Sequence, residues 1–118
     1  MNAASAYVSG GPSRAEIAST PGHTVIEFGS NLCGICQAAQ PVIAEALGAH
    51  VGPAPLRHLK VEDGPGQPLG RSFGIKWWPT LVVLRDGQEV ARVVRPRRVQ
   101  DIEGALAPLA ARPSPDGS

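Results

Sequence analysis

The stretch Val25-Ile26-Glu27-Phe28-Gly29-Ser30-Asn31-Leu32-Cys33-Gly34-Ile35-Cys36 decides how this chain is read. Its β-branched and aromatic start predicts a strand over Thr24–Phe28, and Gly29, Ser30 and Asn31 predict a turn. From about Gly34 the apolar residues Ile35, Ala39, Val42, Ile43, Ala46 and Leu47 recur at helical spacing, with Gly48 as the expected stop. The chain's two cysteines therefore stand where a strand hands over to a helix. One sulfur there meets the positive end of the helix dipole, which favours thiolate over thiol. The second, one turn further on, is placed to attack a mixed disulfide formed by the first, so the pair can cycle between dithiol and disulfide.

Outward from this stretch the elements alternate. Ser13 to Ser19 predicts a short helix opened by a capping box, Ser13 with Glu16, and ended by Pro21 and Gly22. Pro41 falls inside the second helix, removes a backbone donor and predicts a kink. Leu56 to Val61 predicts a strand, and Gln67 to Phe73 a short helix after Gly64, Pro65 and Gly66. Thr80 to Arg85 and Glu89 to Val94 predict two strands joined at Asp86-Gly87, a strong hairpin signal. Val99, Ile102, Leu106 and Leu109 then mark a last amphipathic helix carrying Pro108. This order predicts an α/β fold: a mixed β-sheet flanked by helices, its first two strands parallel, closing with a β-hairpin and helix.

The 118 residues fit one domain, expected over residues 13–111 between a flexible segment 1–12 and a disordered Pro, Ser and Gly tail at 112–118. Eleven Lys and Arg nearly balance ten Asp and Glu, so no whole-molecule field points to nucleic acid or an acidic membrane. The Arg92, Arg95, Arg97, Arg98 cluster is read as a solvated face. Neither a secretory signal nor a membrane-spanning run is visible, and a cytoplasmic protein is expected. In that compartment a cysteine pair is more often catalytic or metal-binding than a structural staple. His23, His50 and His58 show no paired metal-ligand spacing, so neither metal nor cofactor is expected.

From Thr24 to Leu109 the chain resembles the thioredoxin family. The strand leading to Cys33-Gly34-Ile35-Cys36, Pro41 five positions later, Phe73-Gly74-Ile75, Trp78-Pro79-Thr80 and the Asp86-Gly87 turn fall in that family's order and spacing. The resemblance implies a thioredoxin fold and a protein-disulfide reductase, with Cys33 attacking and Cys36 resolving. It places Glu27 at the family's buried acid and Lys60 at a lysine near it. It also implies a cis peptide bond before Pro79, which presents the Trp78 backbone to an extended partner. Trp77 and Trp78 are unusual for the family and are read here as a wall beside the cysteines, lining a substrate groove with Pro79, Gly34 and Ile35. Disulfide-bearing proteins are the expected substrates, a thioredoxin reductase the expected electron donor, and a monomer the expected state.

Three positions depart from the family pattern. Leu32 stands for Trp, Gly34-Ile35 for Gly-Pro, and Gln37 for Lys or Arg. Ile35 restores a backbone N–H that could face Cys33, whereas Gln37 removes a positive charge. If Glu27 is buried, a raised pKa is expected, with proton exchange to Cys36. An alternative from another class is a binding or assembly module that keeps the fold and uses the groove with little or no redox chemistry.

Overall fold

The structure, a computed structural model, describes residues 6–110. Its elements are α1 (Arg14–Ala18), β1 (His23–Gly29), α2 (Gly34–Ala49), β2 (Leu56–Glu62), α3 (Pro68–Ser72), β3 (Thr80–Arg85), β4 (Gln88–Val94) and α4 (Val99–Ala110). Four strands form one sheet in the order β2-β1-β3-β4; β1 and β2 are parallel and the other pairs antiparallel. The expected alternation and mixed sheet are thus observed, and residues 112–118 lie outside the described part.

β1 is central, and its two faces feed two cores. Val25 packs with Ala39, Ile43 and Ala46 of α2, Leu81 and Val83 of β3, and Ile102, Leu106 and Leu109 of α4. Ile26 and Phe28 face the other way, onto Ile17 of α1 and onto Leu69 and Phe73 at α3. Side chains alternate along a strand, so Glu27 shares the Val25 face and points under α2. This places a carboxylate with 0% exposure beneath the first turns of the helix that carries both cysteines.

Helix α1 has the expected capping box, with the Glu16 N–H donating to Ser13 Oγ and the Ser13 N–H to Glu16 Oε1. Helix α2 runs past Gly48 and ends at His50, whose extended backbone closes it, so Gly48 is a helical residue and not the stop. Pro41 sits on the exposed side of α2, where it gives no N–H to the helix.

The N-terminal segment differs from expectation. Among its described residues Tyr7 is buried, and Val8 bridges in parallel to Val61, with its N–H donating to the Lys60 carbonyl at 2.9 Å. The Gly10 N–H donates to Gln67 Oε1 and Gln67 Nε2 to Ser9 Oγ. The Gly10-Gly11-Pro12 break suggested a loose arm, whereas the single aromatic ring before it supplies enough apolar surface to hold that arm down.

The hairpin turn is tied to the loop before β1. Asp86 (φ 50°) and Gly87 (φ 81°) take the left-handed conformations of a two-residue turn, and the Asp86 N–H donates to the Gly22 carbonyl at 2.8 Å. A Cβ on Gly87 would stand 2.3 Å from the Ala18 carbonyl oxygen. Gly87→Ala is therefore expected to destabilise the fold by about 1–3 kcal/mol, measured as a lower midpoint in urea unfolding.

Candidate functional site

Cys33 is the N-cap of α2, with extended backbone, and its Sγ accepts the Cys36 N–H at 3.2 Å. Backbone donors and the positive end of a helix favour negative charge at that point. The loop is fixed by its own bonds: the Cys33 N–H donates to the Ser30 carbonyl at 3.1 Å, and the Leu32 N–H to Ser30 Oγ. Ile35 is half-exposed, and the donor that reaches the sulfur is the N–H of Cys36. Gln37, where a cation would be expected, donates from Nε2 to the Asn31 carbonyl at 3.4 Å and braces the loop.

The two thiols are unequal. Cys33 is partly accessible, whereas Cys36 lies one turn inside the helix with no exposed surface. Burial, and then the hydrogen bond to Cys33, push the Cys36 thiol up from 9.0 to about 11. At neutral pH its thiolate fraction is about 100-fold below that of an ordinary cysteine.

Below them Glu27 is fully enclosed and hydrogen-bonded by three side chains, with Lys60 behind them. His58 Nε2 lies 2.9 Å from Oε1, Gln40 Nε2 donates to Oε2 at 2.8 Å, and the Tyr7 hydroxyl donates to the same oxygen. Lys60 Nζ donates to Gln40 Oε1 at 2.7 Å and lies 4.8 Å from the centre of the Tyr7 ring. Burial alone would raise the carboxyl, but hydrogen bonds from His58, Gln40 and Tyr7, with the Lys60 charge, hold it below its ordinary 4.5. The raised pKa expected for Glu27 is therefore corrected: burial is present, and the donors outweigh it.

Tyr7, Gln40 and His58 were not singled out as site residues from the sequence. In the parallel register Val25 pairs with His58 and Glu27 with Lys60, so β2 turns both basic side chains to the Glu27 face. An alternation of His58 and Lys60 in a predicted strand was the available signal. Gln40 follows Cys36 by four residues and so shares its helix face. Tyr7 had no periodic context at all.

Leu32, beside Cys33 in the chain, is 96% exposed, and Trp77, before β3, is 58% exposed. Trp78 turns the opposite way, half-buried, and donates from Nε1 to Asp63 Oδ2 at 2.8 Å. The Trp78–Pro79 bond is cis. Arg95 Nε donates to the Trp78 carbonyl at 2.9 Å, and its guanidinium lies 5.1 Å from the Trp77 ring centre. Among the described residues no group of three or more His, Cys, Asp or Glu is disposed to hold a metal, and no helix is long and apolar enough to cross a membrane.

The family model described as Thioredoxin matches residues 9–107. The chain is 33% identical to a thioredoxin of Staphylococcus saprophyticus over 73 residues, 62% of this chain and 68% of the relative. Among solved structures it is similar to thioredoxin 2 from Pseudomonas aeruginosa in its reduced form, with 51% identity, 90% and 95% of the two chains covered and a TM-score of 0.78. A Halobacterium salinarum thioredoxin shares the fold at 24% identity and a TM-score of 0.69, covering 91% of each chain. The chain belongs to the thioredoxin family. It is a thiol–disulfide oxidoreductase, a disulfide reductase with its two cysteines close together at the start of α2.

Two outcomes follow from this geometry. Brief alkylation of the reduced protein with iodoacetamide at neutral pH should modify Cys33 and leave Cys36 free, as read by peptide mass spectrometry. Because the folded carboxyl of Glu27 is depressed, its contribution to stability is present above about pH 4.5 and is lost as pH falls through the folded value. The stability of Glu27→Gln relative to the wild type should therefore improve as pH is lowered from 6 to 3, measured by urea unfolding.

Proposed function

We propose that this protein reduces disulfides in protein partners, with Cys33 as the attacking sulfur and Cys36 as the resolving one. The observation that carries this reading is the asymmetry of the pair. Cys33 is reachable at a helix N-terminus with a backbone N–H on its sulfur, while Cys36 is sealed and protonated behind it. Attack by Cys33 breaks the partner's S–S bond and releases one thiolate. Attack by Cys36 on Cys33 then breaks the mixed disulfide, releases the second thiolate and leaves Cys33–Cys36 oxidised. The partner gains two electrons and the cysteine pair loses two.

Glu27 acts in this reading as the base for Cys36. A carboxyl held in its ionised form is ready to accept a proton when the thiol attacks. Trp77, Ile35, Gly34 and Pro79 form the groove in this reading, where the exposed Trp77 and Ile35 side chains meet an extended partner beside Cys33 and Pro79 is itself buried. The Trp78 carbonyl is held by Arg95, so a partner strand meets the Trp78 N–H or displaces that guanidinium. The protein works as a cytoplasmic monomer, re-reduced by a thioredoxin reductase, with no bound cofactor of its own.

Insulin reduction tests the assignment. Cys33→Ser should abolish turnover, whereas Cys36→Ser should retain attack and accumulate a covalent adduct visible by non-reducing electrophoresis. An adduct that forms through Cys36 in Cys33→Ser, and none in Cys36→Ser, would reverse the roles.

A further inference from the structure

We propose that the Tyr7 hydroxyl is the link through which Glu27 takes the proton of Cys36, so that a residue of the N-terminal arm is part of the catalytic machinery. This rests on the reading of Glu27 as the base. The link is needed because Glu27 lies on β1 under the helix, and its Oε2 is taken up by two donors, Gln40 Nε2 and the Tyr7 hydroxyl. The same hydroxyl, which also accepts from Gln40 Nε2 at 3.3 Å, is a neighbour of the Cys36 thiol across Gly29. Gly29 marks where they converge: a Cβ placed there would stand 2.7 Å from Tyr7 Oη and 2.8 Å from Cys36 Sγ. The absence of a side chain at Gly29 is what lets hydroxyl and thiol meet.

The arm is built to hold Tyr7 in this place. Asn31, in the active-site loop, receives the Tyr7 N–H on Oδ1 at 2.9 Å and returns Nδ2 to the Tyr7 carbonyl at 3.1 Å. Val8 is bonded to β2 on both sides, and Lys60 caps the face of the ring. The ionisable groups around the hydroxyl are Glu27 from β1, Cys36 from α2 with the N-cap Cys33 bonded to it, and His58 and Lys60 from β2. Burial, together with the neighbouring Glu27 carboxylate, pushes the phenol far above its ordinary value, so it relays a proton and does not itself serve as the base.

The step balances as follows. As Cys36 Sγ bonds to Cys33 Sγ, the bond between Cys33 and the partner sulfur breaks, and its electron pair leaves with the partner. The Cys36 proton passes to Tyr7 Oη while the Tyr7 proton passes to Glu27 Oε2. Tyr7 ends neutral, Glu27 ends protonated, and the partner departs as a thiolate that is protonated by water. Transfer to a carboxyl this acidic is uphill from a resting thiol, and becomes possible because bond formation removes negative charge from the attacking sulfur.

The test uses the reduced full-length protein and the chromogenic disulfide dithiobis(nitrobenzoate), followed by stopped-flow absorbance. Attack by Cys33 releases one coloured thiolate and resolution by Cys36 releases the second. In the wild type the second phase should be nearly flat from about pH 6 to about pH 9, since a base already ionised does not gain from added hydroxide. In Tyr7→Phe the first phase should be unchanged and the second at least about tenfold slower at pH 7, rising about tenfold per pH unit as only preformed Cys36 thiolate reacts. Gly29→Ala keeps every ionisable group and wedges a methyl group into the meeting point, and should reproduce that slope.

The outcomes separate the inference from its premise. A steep second phase in Glu27→Gln with a flat one in Tyr7→Phe overturns the Tyr7 link and leaves Glu27 as base. Flat profiles in both overturn the base reading itself. Equal slowing of both phases in Tyr7→Phe assigns the residue a purely structural role and also rejects the link.

Discussion

An ionised carboxylate with no access to water is the constraint around which this molecule is organised. Taking such a group out of solvent costs several kcal/mol unless hydrogen bonds and opposite charge replace the lost hydration. Glu27 has those replacements from three separate parts of the chain: Tyr7 from the arm, Gln40 from α2, and His58 from β2 with Lys60 behind it. None of these partners is close in sequence, so the charge can be satisfied only when the sheet register, the helix and the arm are all in place. The cluster proposed to serve Cys36 as a base is thus also a check on the correctness of the fold.

The same arrangement explains why the two sulfurs differ although they are three residues apart. A helix N-terminus offers its unpaired N–H groups to the capping residue and withdraws the residue one turn later into the core. Cys33 receives the Cys36 N–H, and Cys36 packs among β1 and the arm. The departures at Leu32, Ile35 and Gln37 leave this relation unaltered, because it rests on backbone donors and burial rather than on the side chains between or beside the cysteines. Gln37 replaces a charge with a brace to Asn31, and Asn31 in turn clasps Tyr7, so the loop and the arm are tied together.

Most of the fold was legible because its signals are local. The strand at Val25 to Phe28, the helical period from Ile35 and the Asp86-Gly87 turn each speak through neighbours in sequence, and their boundaries fall within a residue or two of those observed. Gly48 misled because glycine is compatible with a helix interior when the cap lies beyond it, at His50. The direction of the Glu27 shift was not legible, since it depends on three donors and the Lys60 charge, brought together by parallel pairing, by α2 and by an arm with no periodic pattern. Tyr7 illustrates the limit: a single aromatic residue among Ala, Ser and Gly reads as linker until its hydroxyl is seen packed against Gly29, where a side chain would collide with it.

The strap formed by Ser9, Gly10 and their neighbours has a second effect, on how the molecule meets its own kind. β2 is a marginal strand whose outward N–H and C=O groups would otherwise be open to ribbon-like association with another copy. Val8 occupies two of them, accepting from the Glu62 N–H and donating to the Lys60 carbonyl, each at 2.9 Å. At the opposite margin β4 is irregular near the Val83–Leu84 register shift and carries the Glu89–Arg92 ion pair. Both borders of the sheet are thus blunted against unselective stacking.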